Sequence, residues 1–153
     1  MHLKFSVYSH CAGAERVPVE LRKQIEDAIG HIAVVPKKGA ARSIRQEFIS
    51  ALRTSGWSGE VTVARGSDMS ITSLKDGIGL CLQTGNMARV YADLMKLQTL
   101  YLDNAISAAV MVVPSQPIAL IIGKNIAQTT RIERELEIFR KAYHVPTLVL
   151  GLE

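Results

Sequence analysis

The chain has 153 residues, of which 48% are hydrophobic, and a formal net charge of +4. That is enough for one domain, residues 1–153, with a real core, and no run approaches the roughly 20 apolar residues of a membrane span. The charge is compatible with a polyanionic partner without requiring one, and two cysteines, Cys11 and Cys81, exclude a disulfide framework or a zinc pattern.

Leu3, Phe5 and Val7 alternate with Lys4, Ser6 and Tyr8, which predicts a first strand over about residues 2–8. Pro18 opens a helix where its missing N–H costs least, and Leu21, Ile25, Ala28, Ile29 and Ile32 form its inner stripe. Val34-Val35-Pro36 and Lys37-Lys38-Gly39 break it. A second helix is expected from Ala40 to Ser55, with Ile44, Phe48, Ala51 and Leu52 facing inward. Arg42, Arg45 and Arg53 project elsewhere and read as a solvated face. Gly56-Trp57 closes this helix, with Trp57 as a core plug.

Strands are expected over Glu60–Ala64 and over 69–73, followed by a tight hairpin turn at Lys75-Asp76-Gly77. Ile78, Leu80 and Leu82 then alternate with Gly79, Cys81 and Gln83. Period-2 geometry places Cys81 and Gln83 on one face. Thr84-Gly85-Asn86 ends that strand. The longest helix follows, from Met87 to about Asn104, with an apolar stripe wide enough to serve a core and a partner together. Ile106–Val113 reads as a strand buried on both faces. Residues 118–122 fit either a short strand or a helical turn, and Gly123-Lys124-Asn125 is a polar loop. Thr129 or Thr130 caps a helix running to Tyr143, and Thr147–Leu152 is the last strand. Strands alternating with helices predict an α/β, three-layer domain. Its mixed central sheet has 69–73, 78–83 and 106–113 at its centre and helices on both sides.

From end to end the chain resembles the BglII/BstYI group of type II restriction endonucleases, which have the PD-(D/E)xK fold. The resemblance is carried by Tyr8-Ser9-His10, the helix Leu21–Ile32, and the helix Ile44–Leu52 with Gly56-Trp57. It continues through Lys75-Asp76, Leu82-Gln83-Thr84-Gly85-Asn86 and the closing run Val145–Glu153. It implies a homodimer that grips palindromic duplex DNA and cuts it with Mg²⁺. It also implies where the site falls. The family's Glu-x-Gln lies on Cys81-Leu82-Gln83, its metal-binding Asp on Thr72, and its polar residue at the start of the second helix near Ala41. The catalytic positions Thr72, Cys81 and Gln83 therefore retain only Gln83, and no metal set is intact. Hard Mg²⁺ wants carboxylate oxygens, whereas Thr72 offers a neutral hydroxyl and Cys81 a soft sulfur. Cys81 reads best as a small hydrophobe, since His2, His10, His31 and His144 stand in no recognisable relation to it as bases. The same analogy places Asn86, Lys124 and Asn125 near the duplex, as candidates for base-edge or phosphate contact.

Three functions follow from different classes. The first is a dimeric, duplex-binding protein of the cytoplasm that has lost cleavage and needs no cofactor. The second is an active Mg²⁺ nuclease with a rearranged site, in which Asp76 or Asp68 serves as substitute ligand. The third is a protein-interaction module that keeps only the dimerising helices.

Overall fold

The computed structural model describes residues 3–153, so His2, the first residue of the predicted opening strand, lies outside it. The first strand, β1, is Phe5–His10. A single helical turn, α1 (Gly13–Arg16), leads to α2 (Val19–Gly30) and α3 (Ala41–Thr54). Three short strands follow: β2 (Val61–Thr62), β3 (Ser70–Ile71) and β4 (Ser73–Lys75). Next come β5 (Ile78–Leu82), α4 (Ala88–Leu102) and β6 (Ala108–Pro114). The chain closes with α5 (Gln116–Ile122), α6 (Thr129–Ile138) and β7 (Thr147–Leu152).

The main sheet has the order β1-β7-β6-β5-β4. β5, β6 and β7 run parallel, while β1 and β4 are antiparallel edges. Parallel neighbours need crossovers, and α4 supplies the one between β5 and β6. Every residue of β5, β6 and β7 is buried, as near-continuous apolar runs demand when helices cover both faces. Strand alternation divides the core in two. Ile78, Leu80, Leu82, Val110, Val112, Leu148 and Leu150 face α2 and α3. Cys81, Met111, Val113 and Val149 face α4 and α6. A fully buried Val, Leu or Ile contributes roughly 1.5–3 kcal/mol, and the three parallel strands bury such side chains on both faces against the stripes of the helices. Trp57 is buried as expected, and its Nε1–H donates to Gln24 Oε1 at 2.9 Å.

The stretch 69–73 departs from the sequence expectation of one central strand. Ser70–Ile71 pairs with Val61–Thr62 in a separate two-stranded sheet, and Ser73–Lys75 forms an edge of the main one. The chain bends between them at Thr72, whose hydroxyl accepts the Leu82 N–H at 3.0 Å. A side-chain acceptor has taken the place of a ladder carbonyl, so the strand divides there. The predicted strand 60–64 shortens to two residues, and the helix predicted to reach Tyr143 stops at Ile138. Residues 118–122 belong to a helix that carries Pro117 in its first turn. The hairpin is a two-residue turn with φ of 47° at Asp76 and 78° at Gly77, the positive pair that matches strand twist. No helix among the described residues is long and apolar enough to cross a membrane.

Candidate functional site

At the C-terminal end of β5 the sheet opens into a cleft of about 600 Å³, bounded by the start of α3, the Thr72 bend and one flank of α4. It brings together Ala41, Thr72, Cys81 and Gln83, the four positions that sequence comparison assigned to one site. Ala41 is the first residue of α3, and no side chain caps that end. Thr72 arrives through the bend that divides β3 from β4. Cys81 and Gln83 share the sheet face that meets α4, as their spacing requires.

Each of these groups is already engaged or neutral. The Thr72 hydroxyl holds the Leu82 N–H. Cys81 is 2% exposed, and burial, reinforced by the nearby Asp93 charge, pushes its thiol well above the ordinary range. In that setting it is a buried neutral side chain rather than an activated nucleophile. Gln83 donates from Nε2 to Asp93 Oδ2 at 2.7 Å, and its Oε1 accepts the Gly85 N–H at 3.0 Å.

Asp93, on α4, was not singled out in the sequence. It is 7% exposed and, among the described residues, is the one carboxylate lining the cleft. Burial raises its pKa, opposed by the Gln83 hydrogen bond and by Lys96 and Arg45. Lys96 Nζ stands 3.7 Å from Asp93 Oδ1. One signal was available: Asp93 falls within the stripe Val90, Leu94, Leu97, where an acid must find a partner or a use.

The arginines of α3 correct the solvated-face reading in part. Arg42 and Arg53 are exposed as read, but Arg42 also lines the cleft, beside the half-buried Arg45 three residues on along the same flank. Arg45 Nη1 donates to the Leu82 carbonyl at 3.1 Å, and its Nη2 lies 3.9 Å from Glu60 Oε1. Arg89 and Lys96 complete a lining of four cations against one carboxylate.

Asp76 and Asp68 do not join this constellation. Asp76 is exposed in the hairpin turn at the opposite end of β5, roughly 15 Å along the strand from Cys81. Asp68 is exposed in the connection between β2 and β3 and does not line the cleft. Among the described residues no group of three or more His, Cys, Asp or Glu could hold a metal ion. His10 lies near the start of β7, with Nε2 2.9 Å from the Tyr143 carbonyl. Neither it nor His31 nor His144 lines the cleft.

Asn86, Lys124 and Asn125 form one ridge beside the cleft. Asn86 bridges Ile126, the Met87 N–H donates to the Asn125 carbonyl at 2.7 Å, and the Ala127 N–H donates to the Gly85 carbonyl at 2.9 Å. Gly85 also lines the cleft, so the two loops meet at its rim. The Asn86 carboxamide is partly spent, since its Oδ1 accepts the Ala88 N–H at 2.8 Å. Lys124 and Asn125 are exposed.

Comparison with known proteins gives a consistent picture. The structure of restriction endonuclease BglII complexed with a DNA 16-mer matches with a TM-score of 0.82 at 12% identity, covering 97% of this chain and 75% of that one. Free BglII matches with a TM-score of 0.75 at 13% identity, covering 98% and 79%. At such identities the likeness establishes the fold. No curated protein matches the chain in sequence. A sequence model of the family described as restriction endonuclease BglII/BglIII matches residues 5–152, from the first strand to the last. The chain belongs to the BglII/BglIII restriction endonuclease family.

Proposed function

We propose that this protein binds duplex DNA as a homodimer in the cytoplasm and does not cut it, with no cofactor required. One observation carries the reading: where the family resemblance places acids, the cleft presents Thr72 and Cys81, one tied to backbone and the other buried and protonated. The Mg²⁺ that the family implies does not fit this donor set. Magnesium takes about six oxygen ligands in near-ideal octahedral geometry, usually one or two of them carboxylates, whereas this cleft has one carboxylate, already hydrogen-bonded and facing four cations. Gln83 keeps one N–H and one lone pair beyond its bonds to Asp93 and Gly85, but as a neutral amide it supplies no charge to hold a metal.

Support for duplex binding comes from the basic cleft and the adjoining Asn86–Lys124–Asn125 ridge. A further support is that the BglII structure sharing this fold was solved with a DNA 16-mer. Support for a dimer comes from α4 and α6. Met95 is 68% exposed and Phe139 43%, and both line an apolar groove of about 190 Å³ between α4 and the segment that follows α6.

Incubation of supercoiled plasmid with the protein and Mg²⁺ or Mn²⁺ is expected to leave it intact. Labelled duplex should be retarded, with an affinity that falls as salt rises. A Thr72→Asp, Cys81→Glu double variant, assayed beside the parent, is expected to recover nicking if these positions are the lost site. Nicking by the parent that Asp93→Asn abolishes would overturn the reading in favour of a nuclease with a rearranged acid. Absence of any duplex shift would favour a protein-interaction module instead.

A further inference from the structure

Arg42 and Arg89 have no acidic partner within 4.0 Å among the described residues, although both line the cleft. The other two cations are held in place. Arg45 is anchored on the Leu82 carbonyl with Glu60 at the far side of its guanidinium, outside the cleft lining, and Lys96 stands against Asp93. The cleft therefore pairs two fixed positive groups with two that have no acidic partner, around a single acid that is itself hydrogen-bonded to Gln83. A divalent cation entering this space would meet four like charges and one carboxylate already hydrogen-bonded. A phosphate would meet guanidinium groups able to bind two of its oxygens at once, and an ammonium point charge.

We propose that the cleft is a metal-independent seat for one backbone phosphate, formed by Arg42, Arg45, Arg89 and Lys96. For the source of that phosphate, the inference rests on the duplex-binding reading above. Fixed side-chain charge here does the work of neutralising the anion. Asp93 keeps Lys96 and Gln83 in register rather than contacting the ligand. Contact with Arg45 ties the seat to the backbone of Leu82, one residue from Cys81 and from Gln83. The phosphate so held lies over the former cleavage positions and is retained without being attacked.

The test follows the arginine Nε–Hε NMR signals of the whole chain. Titration with inorganic phosphate in EDTA should move the Arg42, Arg45 and Arg89 signals saturably. Arg131 and Arg140, which pair with Glu135 and Glu137 on α6, should stay still. Exchanging EDTA for Mg²⁺ should leave the curves unchanged. A blunt DNA duplex in EDTA should move the same three signals. An Arg42→Ala, Arg89→Ala double variant should bind duplex at least about tenfold more weakly, with a log–log salt slope shallower by about 2. Both residues are exposed, so the variant should fold as the parent does.

Equal shifts at all arginines, or shifts that need Mg²⁺, would overturn the seat. So would duplex affinity unchanged in the double variant, which would leave duplex binding standing without the seat. Saturable shifts confined to the cleft with no duplex binding would support the seat while removing the duplex as its source.

Discussion

Asp93 carries a cost that its position in the cleft explains. Its carboxylate is buried, and desolvation raises its pKa in spite of Gln83, Lys96 and Arg45, which all favour the charged form. For an acid whose folded pKa lies above its unfolded one, the folded state holds the proton more tightly. Its contribution to stability is then full below the unfolded value, about 4, and is lost as pH rises through the folded value. Asp93→Asn keeps an acceptor for Gln83 and removes the charge. The variant is expected to be more stable than the parent at pH 7, with the advantage shrinking towards pH 4. Urea midpoints measured across that range would check it, and a variant less stable at pH 7 would show that the Lys96 and Gln83 contacts outweigh burial.

Among the elements, the β4–β5 hairpin sets the position of the whole site strand. Lys75, at the end of β4, donates from Nζ to the Ser55 carbonyl at 2.6 Å and to Gln24 Oε1 at 3.1 Å, fastening the hairpin to α2 and the end of α3. Asp76 and Gly77 then reverse the chain with positive φ at both positions. A Cβ at residue 77 would find ordinary space, 3.6 Å from Ser107 Oγ, so the penalty for adding one is conformational rather than steric. Gly77→Ala is expected to lower stability by about 1–2 kcal/mol, the cost of the left-handed region for a residue with a Cβ. Denaturant unfolding measures it directly. An unchanged midpoint would mean that the turn relaxes to another type without moving β5.

For the whole molecule, the outer faces of α4 and α6 matter most. Their apolar stripes fill the second core, yet Met95, Leu102, Ile138 and Phe139 remain outside it. Burying such side chains between two copies would remove the largest exposed apolar groups on this side, with an isologous contact as the simplest closed arrangement. Light scattering at micromolar concentration is expected to give a dimer. Met95→Glu with Phe139→Glu should give a monomer of unchanged circular dichroism, because neither side chain is needed to fill the core. A parent that scatters as a monomer would remove this face from the account.

Much of the architecture could be read from one-dimensional pattern. The alternation through Ile78–Leu82, the apolar run Ile106–Val113 and the strand Thr147–Leu152 identified the buried parallel strands. The stripes of the helices identified the layers that cover them. Both signals are periodic, and period is a local property of the chain. The same local geometry placed Cys81 and Gln83 on one face, and family resemblance added Thr72 and Ala41. What the sequence left open depended on neighbours distant along the chain. The 69–73 stretch divides because Thr72 meets Leu82, ten residues away, and Gln83 is tethered because α4 presents Asp93, again ten residues on. Arg45 reads as solvated because nothing local marks the flank of α3 that faces β5. Asn86 joins the loop at Ile126 only once β5 and β6 lie side by side. Sequence alone determined the apolar runs and stripes that are buried in the parallel strands and the main helices. Only tertiary structure decided which polar groups those elements bring together, because a charge or amide takes its role from the partner that packing puts within reach.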